Sequence, residues 1–173
     1  RFVGVSDALK LLLRPLAKIN PTSAFARLVE VACNLADMCW HEHSDMRGDL
    51  AARRVLGLPV NCMTHKERVW LGVTLYHRYA GTKQNKPRPG ELENLLGARH
   101  RAEAVTVGLA LRFALIFAAG TTRALNDISF ELDDKFMTLR VKKSAQSLFD
   151  GSCNNRFSIL AQSANRQPKV VIA

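Results

Sequence analysis

Glycine is scarce and scattered here: there are ten in 173 residues, and no two are separated by a single residue. That excludes a Gly-x-Gly turn or a P-loop-like cradle for phosphates within this stretch. Aromatic residues are also few, at 7%, with two Trp and two Tyr. They form no interleaved stacking platform, and no helix-turn-helix signature accompanies them, so nothing here favours nucleic acid. The four cysteines, Cys33, Cys39, Cys62 and Cys153, make no Cys-x-x-Cys pair and no zinc-like Cys/His spacing. Cys33 and Cys39 fall inside an apolar helical pattern and are expected to be core thiols in a reducing compartment. The longest apolar stretch, Ala104 to Ala119, is short for a membrane span and contains Arg112. Nothing resembles a signal peptide, and the chain opens Arg1-Phe2-Val3 without Met. The expectation is a segment trimmed from a longer cytoplasmic protein with no membrane role.

Acidic residues are scarce too, and this scarcity points somewhere. Fifteen Asp and Glu face twenty-five Lys and Arg, for a formal net charge of +10. Residues 51–125 hold twelve of the Lys and Arg against four Glu. Such a field suits a polyanion (polyphosphate, a nucleotide or nucleic acid), though a solvated basic surface has the same composition.

The 47% hydrophobic content supports one ordinary globular core. Asn20-Pro21 signals a helix entry. Phe25, Leu28, Val29, Ala32, Leu35, Ala36 and Cys39 then recur at helical spacing to about Trp40. Asp37 falls on the flank of that stripe. Ser44 and Asp45 are suited to capping a short helix through Arg47–Arg54. Thr64-His65-Lys66-Glu67 spells a capping box, and the helix it opens should bury Val69, Trp70, Val73, Tyr76 and His77 and stop at Gly81. Residues 82–90 read as a basic, Pro-rich loop. A helix from about Ala98 to Ala119 is apolar almost all round in its second half, which predicts a central buried position. After Gly120 the period becomes two: Ile128, Phe130 and Leu132, then Met137, Leu139 and Val141, with Asp133-Asp134-Lys135 between them, predict a hairpin. A helical piece near Arg156–Ala164 and a terminal strand-like Lys-Val-Val-Ile-Ala follow. The fold class is therefore mainly α: an HD-like helical domain over 1–125, then a small α/β subdomain over 126–173.

Segment 32–56, ACNLADMCWHEHSDMRGDLAARRVL, has the layout of the HD region of the exopolyphosphatase/guanosine pentaphosphate phosphatase family, with Ala36-Asp37 in the His-Asp position. Trp40, His43, Asp45 and Arg47 resemble the W-x-x-H-x-D-Y-R variant of the family's bacterial branch, with Met46 for Tyr. His65-x-x-Arg68 and His77-Arg78-Tyr79-x-Gly81 resemble its H-x-x-R and R-Y-x-G segments. The resemblance runs from about residue 25 onward and is weak over 1–20. It implies an actin-like N-terminal catalytic domain elsewhere, with glycine-rich loops, a catalytic carboxylate and Mg²⁺. It also implies a C-terminal region that packs on that domain, helps form a homodimer and lines a basic passage for polyphosphate.

A working HD centre gathers several His and Asp around a divalent cation that activates water. With Ala36 in the motif's first place, Asp37 and His43 belong to a degenerate site, and neither a catalytic residue nor a metal or other cofactor is expected here. Asp37 is expected to accept hydrogen bonds from an arginine or a backbone amide. The polyphosphate candidates are Lys83, Lys86 and Arg88 in the loop, Arg99 and Arg101 near the start of the long helix, Arg68 and Arg78 on the Thr64–Gly81 helix, and Arg47. Guanidinium offers planar paired donors to phosphate, but Arg47 serves equally in a helix-entry salt bridge or cap. Trp40, Trp70 and Tyr76 sit at core-like spacing. An accessory domain that binds polyphosphate and supports a dimer is the leading expectation. A self-sufficient HD phosphohydrolase acting on a guanosine alarmone and a basic nucleic-acid module remain the alternatives.

Overall fold

The computed structural model describes residues 4–59, 63–82, 90–119 and 121–173. The chain begins with a helix, α1 (Val5–Leu13), continued by a 3-10 turn over Arg14–Lys18. Together they bury Leu9, Leu12, Leu13 and Leu16.

Helix α2 (Ser23–Leu35) is capped by Thr22, whose hydroxyl accepts from the amide of Phe25. It ends at Leu35 rather than near Trp40, and residues 36–40 wind on as successive three-residue turns. The cause lies on another helix. The Cys39 amide donates to the Tyr79 hydroxyl and the Ala36 carbonyl accepts from Arg78, so neither serves the i→i−4 ladder. Trp40 is left exposed, contrary to its core-like spacing.

Helix α3 (Arg47–Leu56) starts at Met46 without a side-chain cap. The N-cap position thus falls on Met46 rather than on Ser44 or Asp45. Instead Arg47 Nε reaches back 2.7 Å to the Glu42 carbonyl and holds the entry. Helix α4 (His65–Ala80) has the full capping box, with Thr64 accepting from the Glu67 amide and Glu67 from the Thr64 amide. Gly81 ends it at φ +66°, a conformation that suits glycine. A short helix, α5 (Gly90–Asn94), precedes α6 (Ala98–Phe117), which is buried along most of its length. No helix among the described residues is long and apolar enough to cross a membrane.

Helices α4 and α6 cross closely. A Cβ on Gly108 of α6 would meet the Thr74 carbonyl oxygen at 2.4 Å and His77 Cβ at 2.8 Å, so only glycine permits this approach. Beyond a short helix, α7 (Thr122–Leu125), come β1 (Ile128–Leu132) and β2 (Phe136–Val141), antiparallel with Phe130 opposite Leu139. Asp133 Oδ1 accepts from the amides of Lys135 and Phe136, which supplies the turn without Asn-Gly. A 3-10 turn over Lys143–Leu148 and helix α8 (Gly151–Ser163) lead to β3 (Gln167–Ile172), parallel to β2. Phe113 of α6, Phe130 of β1 and Phe157 of α8 meet with centroids 5.8 to 6.2 Å apart. One hydrophobic cluster thus runs from α1 through the helices into the sheet. Cys33 and Cys39 are inside it, and burial pushes the Cys33 thiol up to about 12, which keeps it unreactive.

Candidate functional site

The HD position and the Arg-Tyr-x-Gly segment, about forty residues apart in sequence, meet in space. Arg78 of α4 donates from Nε to the Ala36 carbonyl at 2.9 Å and from Nη2 to Asp37 Oδ1 at 3.3 Å. Its guanidinium carbon lies 4.2 Å from the centroid of the Tyr79 ring. The Tyr79 hydroxyl in turn accepts from the Cys39 amide at 2.9 Å. Adjacent residues of α4 therefore staple adjacent turns of the 36–40 segment. The side chains of Arg78 and Asp37 are only 12% and 21% exposed, so the pair is nearly shut off from solvent. Burial lowers the Arg78 pKa and raises that of Tyr79.

The following connector is pinned in the same manner. Arg54 donates to Cys39 Sγ at 3.2 Å and to the Met38 carbonyl at 3.3 Å, and pairs with Glu42. His43 is exposed, with Nδ1 4.0 Å from Asp45 Oδ2. No group of three His, Cys, Asp or Glu that could hold a metal occurs among the described residues. Asp37 has Arg78 as its hydrogen-bond partner, as expected of it.

Several candidate phosphate ligands turn out to be occupied. Arg47 and Arg78 hold carbonyls, as above. Arg101 donates to the Glu93 and Leu96 carbonyls at 3.2 and 3.4 Å. Arg99 is exposed, with Nε 3.0 Å from Glu103 Oε1. Arg68 is half-buried beside Val31, Leu58 and Met63. Lys83, Lys86 and Arg88 lie outside the described residues.

Two further cations lie at the C-terminal end of α4. Arg112 of α6 donates to the carbonyls of Arg78 and Tyr79 at the end of α4, where a helix C-terminus favours positive charge. It packs against Gly81, where a Cβ would come within 2.9 Å of its Nε. Arg156 of α8 lines the same notch with Gly81 and Thr82. Burial lowers the Arg112 pKa most, and the fields of Arg156 and Arg78 lower it further; Arg78 feels Arg47 in the same sense. The sequence signal for Arg112 was a lone charge in an apolar run. Arg156 had none, because α8 must first pack on α6.

The fold defines a class: a mainly helical domain with a small α/β tail, in which Arg78 and Tyr79 of α4 bind the backbone of the 36–39 turns. The chain belongs to the exopolyphosphatase C-terminal domain family, whose model matches residues 13–171. No curated protein matches it.

Proposed function

We propose that this domain supplies a basic polyphosphate-holding surface and a dimer contact to an exopolyphosphatase whose hydrolytic centre, with its Mg²⁺, lies in a separate N-terminal domain. The supporting observation is the basic notch at the C-terminal end of α4, where Arg112 and Arg156 line one recess with Gly81 and Thr82 and the field of Arg156 adds to burial in lowering the Arg112 pKa. Arg112 has carbonyl partners but no acidic one among the described residues. A polyanion laid across the notch relieves that repulsion. A chain that repeats phosphate every few ångströms suits a row of point charges and needs no base recognition. Lys83, Lys86 and Arg88 lie within six residues of Thr82 in sequence and add three cations to this stretch of the chain. The buried thiols Cys33 and Cys39 fit a cytoplasmic setting.

The test is binding of long-chain polyphosphate at rising salt. Neutralising Lys83, Lys86 and Arg88 together should weaken binding and flatten its salt dependence, since each phosphate contact adds roughly 0.7–0.9 to the slope. Arg156→Gln should lower the slope by about one more contact. Unchanged affinity and slope would assign these residues to solvation, and equal affinity for single-stranded RNA of matched charge would remove polyphosphate specificity. Phosphate release by this chain supplied with Mg²⁺ would favour a self-sufficient phosphohydrolase instead.

A further inference from the structure

His77 lies in the last turn of α4, packed against Gly108 of α6. Both of its ring nitrogens are engaged. Nδ1 stands 2.9 Å from the Gly81 carbonyl oxygen, and Nε2 stands 2.9 Å from Glu93 Oε1 on α5. The side chains of His77 and Glu93 are only 12% and 18% exposed, so water is poorly placed to substitute for their contact. One imidazole thus ties the end of α4 to a separate short helix.

The two partners set a condition on the ring. A neutral imidazole has one N–H and one bare lone pair, so it donates once and accepts once. A carbonyl and an ionised carboxylate only accept. With the ring neutral, one nitrogen therefore turns a lone pair toward an oxygen 2.9 Å away, and that contact repels. With the ring protonated, both nitrogens donate, and the bond to Glu93 becomes a charge-assisted one. The surrounding charges do not reverse this. Arg101 of α6 donates to the Glu93 carbonyl, Arg112 of α6 to the carbonyls of Arg78 and Tyr79, and Arg78 turns away to Ala36 and Asp37. These three cations oppose a positive ring. Glu93 is in direct contact with it and prevails, since Coulomb attraction falls with distance. Tyr76 meets the ring edge to face at 5.4 Å, and Glu91 of α5 is exposed.

We infer that His77 and Glu93 form a proton-operated latch that docks α5 on the end of α4. Uptake of one proton by the ring closes the latch, and loss of that proton frees α5. A proton held by the closed arrangement and not by the open one favours closure at low pH. That stabilisation fades as pH rises through the range, about 5 to 8, in which imidazole changes charge. Gly81, whose carbonyl takes the Nδ1 proton, also lines the notch with Arg112 and Arg156, so the latch fixes one wall of that notch. It does not depend on polyphosphate binding, and its test uses none.

The chain has five histidines, and His77→Gln identifies the His77 ring signals in a long-range ¹H–¹⁵N spectrum of the ¹⁵N-labelled chain. Both ring nitrogens of His77 should carry a proton at about pH 5.5 and only one at about pH 8. The amides of Leu95 and Leu96 donate to the carbonyls of Leu92 and Glu93 and report the docking of α5. Their hydrogen-exchange protection, corrected for the intrinsic effect of pH, should fall about tenfold between those conditions, the worth of one charge-assisted hydrogen bond. Glu93→Gln supplies the control: its side-chain amide donates to the bare Nε2 of a neutral ring, so protection should be the same at both pH values. A His77 ring with a single proton at the lower pH would leave the proton on Glu93 and overturn the inference. Unchanged protection in the parent, or an equal fall in Glu93→Gln, overturns it as well.

Discussion

Two polar regions of this domain, built from the same helices, differ in how their buried groups are partnered. Around Asp37, at the C-terminal end of α4, Arg78 and Tyr79 are spent on the carbonyl, carboxylate and amide of the 36–39 turns. Around Asn20, at the N-terminal end of α4, an acceptor and a donor are buried without partners among the described residues. Buried polar groups that satisfy one another hold a chain in place, whereas an unpaired donor and acceptor cost the fold stability. The motif that looks most like an active site is thus tied to α4 by its own hydrogen bonds.

The comparison can be broken most directly at the 36–39 turns. Arg78→Met should destabilise the chain by about 3 kcal/mol, because it leaves Asp37 and the Ala36 carbonyl half-buried without their donor. Urea unfolding should show a lower midpoint at unchanged slope. A loss within 0.5 kcal/mol would mean that Arg78 is held ready for a ligand rather than committed to the fold.

Where α4 and α6 cross, Gly108→Ala should cost about 2 kcal/mol by forcing them apart. A near-neutral result would show that the crossing can yield.

At the other end of α4, Thr64→Ala should cost about 1 kcal/mol through the lost cap. Glu67→Gln, rather than Thr64→Ala, should change the acid limb of stability. The Thr64 amide holds the Glu67 carboxyl below its ordinary value of 4.5. A carboxyl with a depressed folded pKa contributes stability above its unfolded pKa, and that contribution is lost as pH falls through the folded value. The parent should therefore lose this contribution below about pH 4.5, while Glu67→Gln should lose stability less steeply there; parallel acid limbs would contradict the assignment.

Much of the scaffold was legible because its signals are local. The Thr64–Glu67 box, the glycine stop at Gly81, the apolar run of α6 and the alternation in β1 and β2 each need only a few neighbouring residues to be read. What escaped has long-range causes. Residues 36–40 carry a helical pattern but leave the helix, because two side chains forty residues away claim its backbone groups. The first twenty residues were passed over, since their leucines acquire meaning only against the core that α2, α6 and β1 provide. Arg47, Arg78 and Arg101 read as open phosphate ligands, whereas in the fold carbonyls occupy them.

By itself, then, the sequence determined a mainly helical chain with a small α/β tail, a strong positive charge and the family to which it belongs. Periodicity, caps and motif order survive in one dimension. Only the tertiary structure decided which charges are spent and which polar atoms are paired, because a hydrogen bond is settled by the partner within about 3 Å, and here that partner often comes from a distant part of the chain.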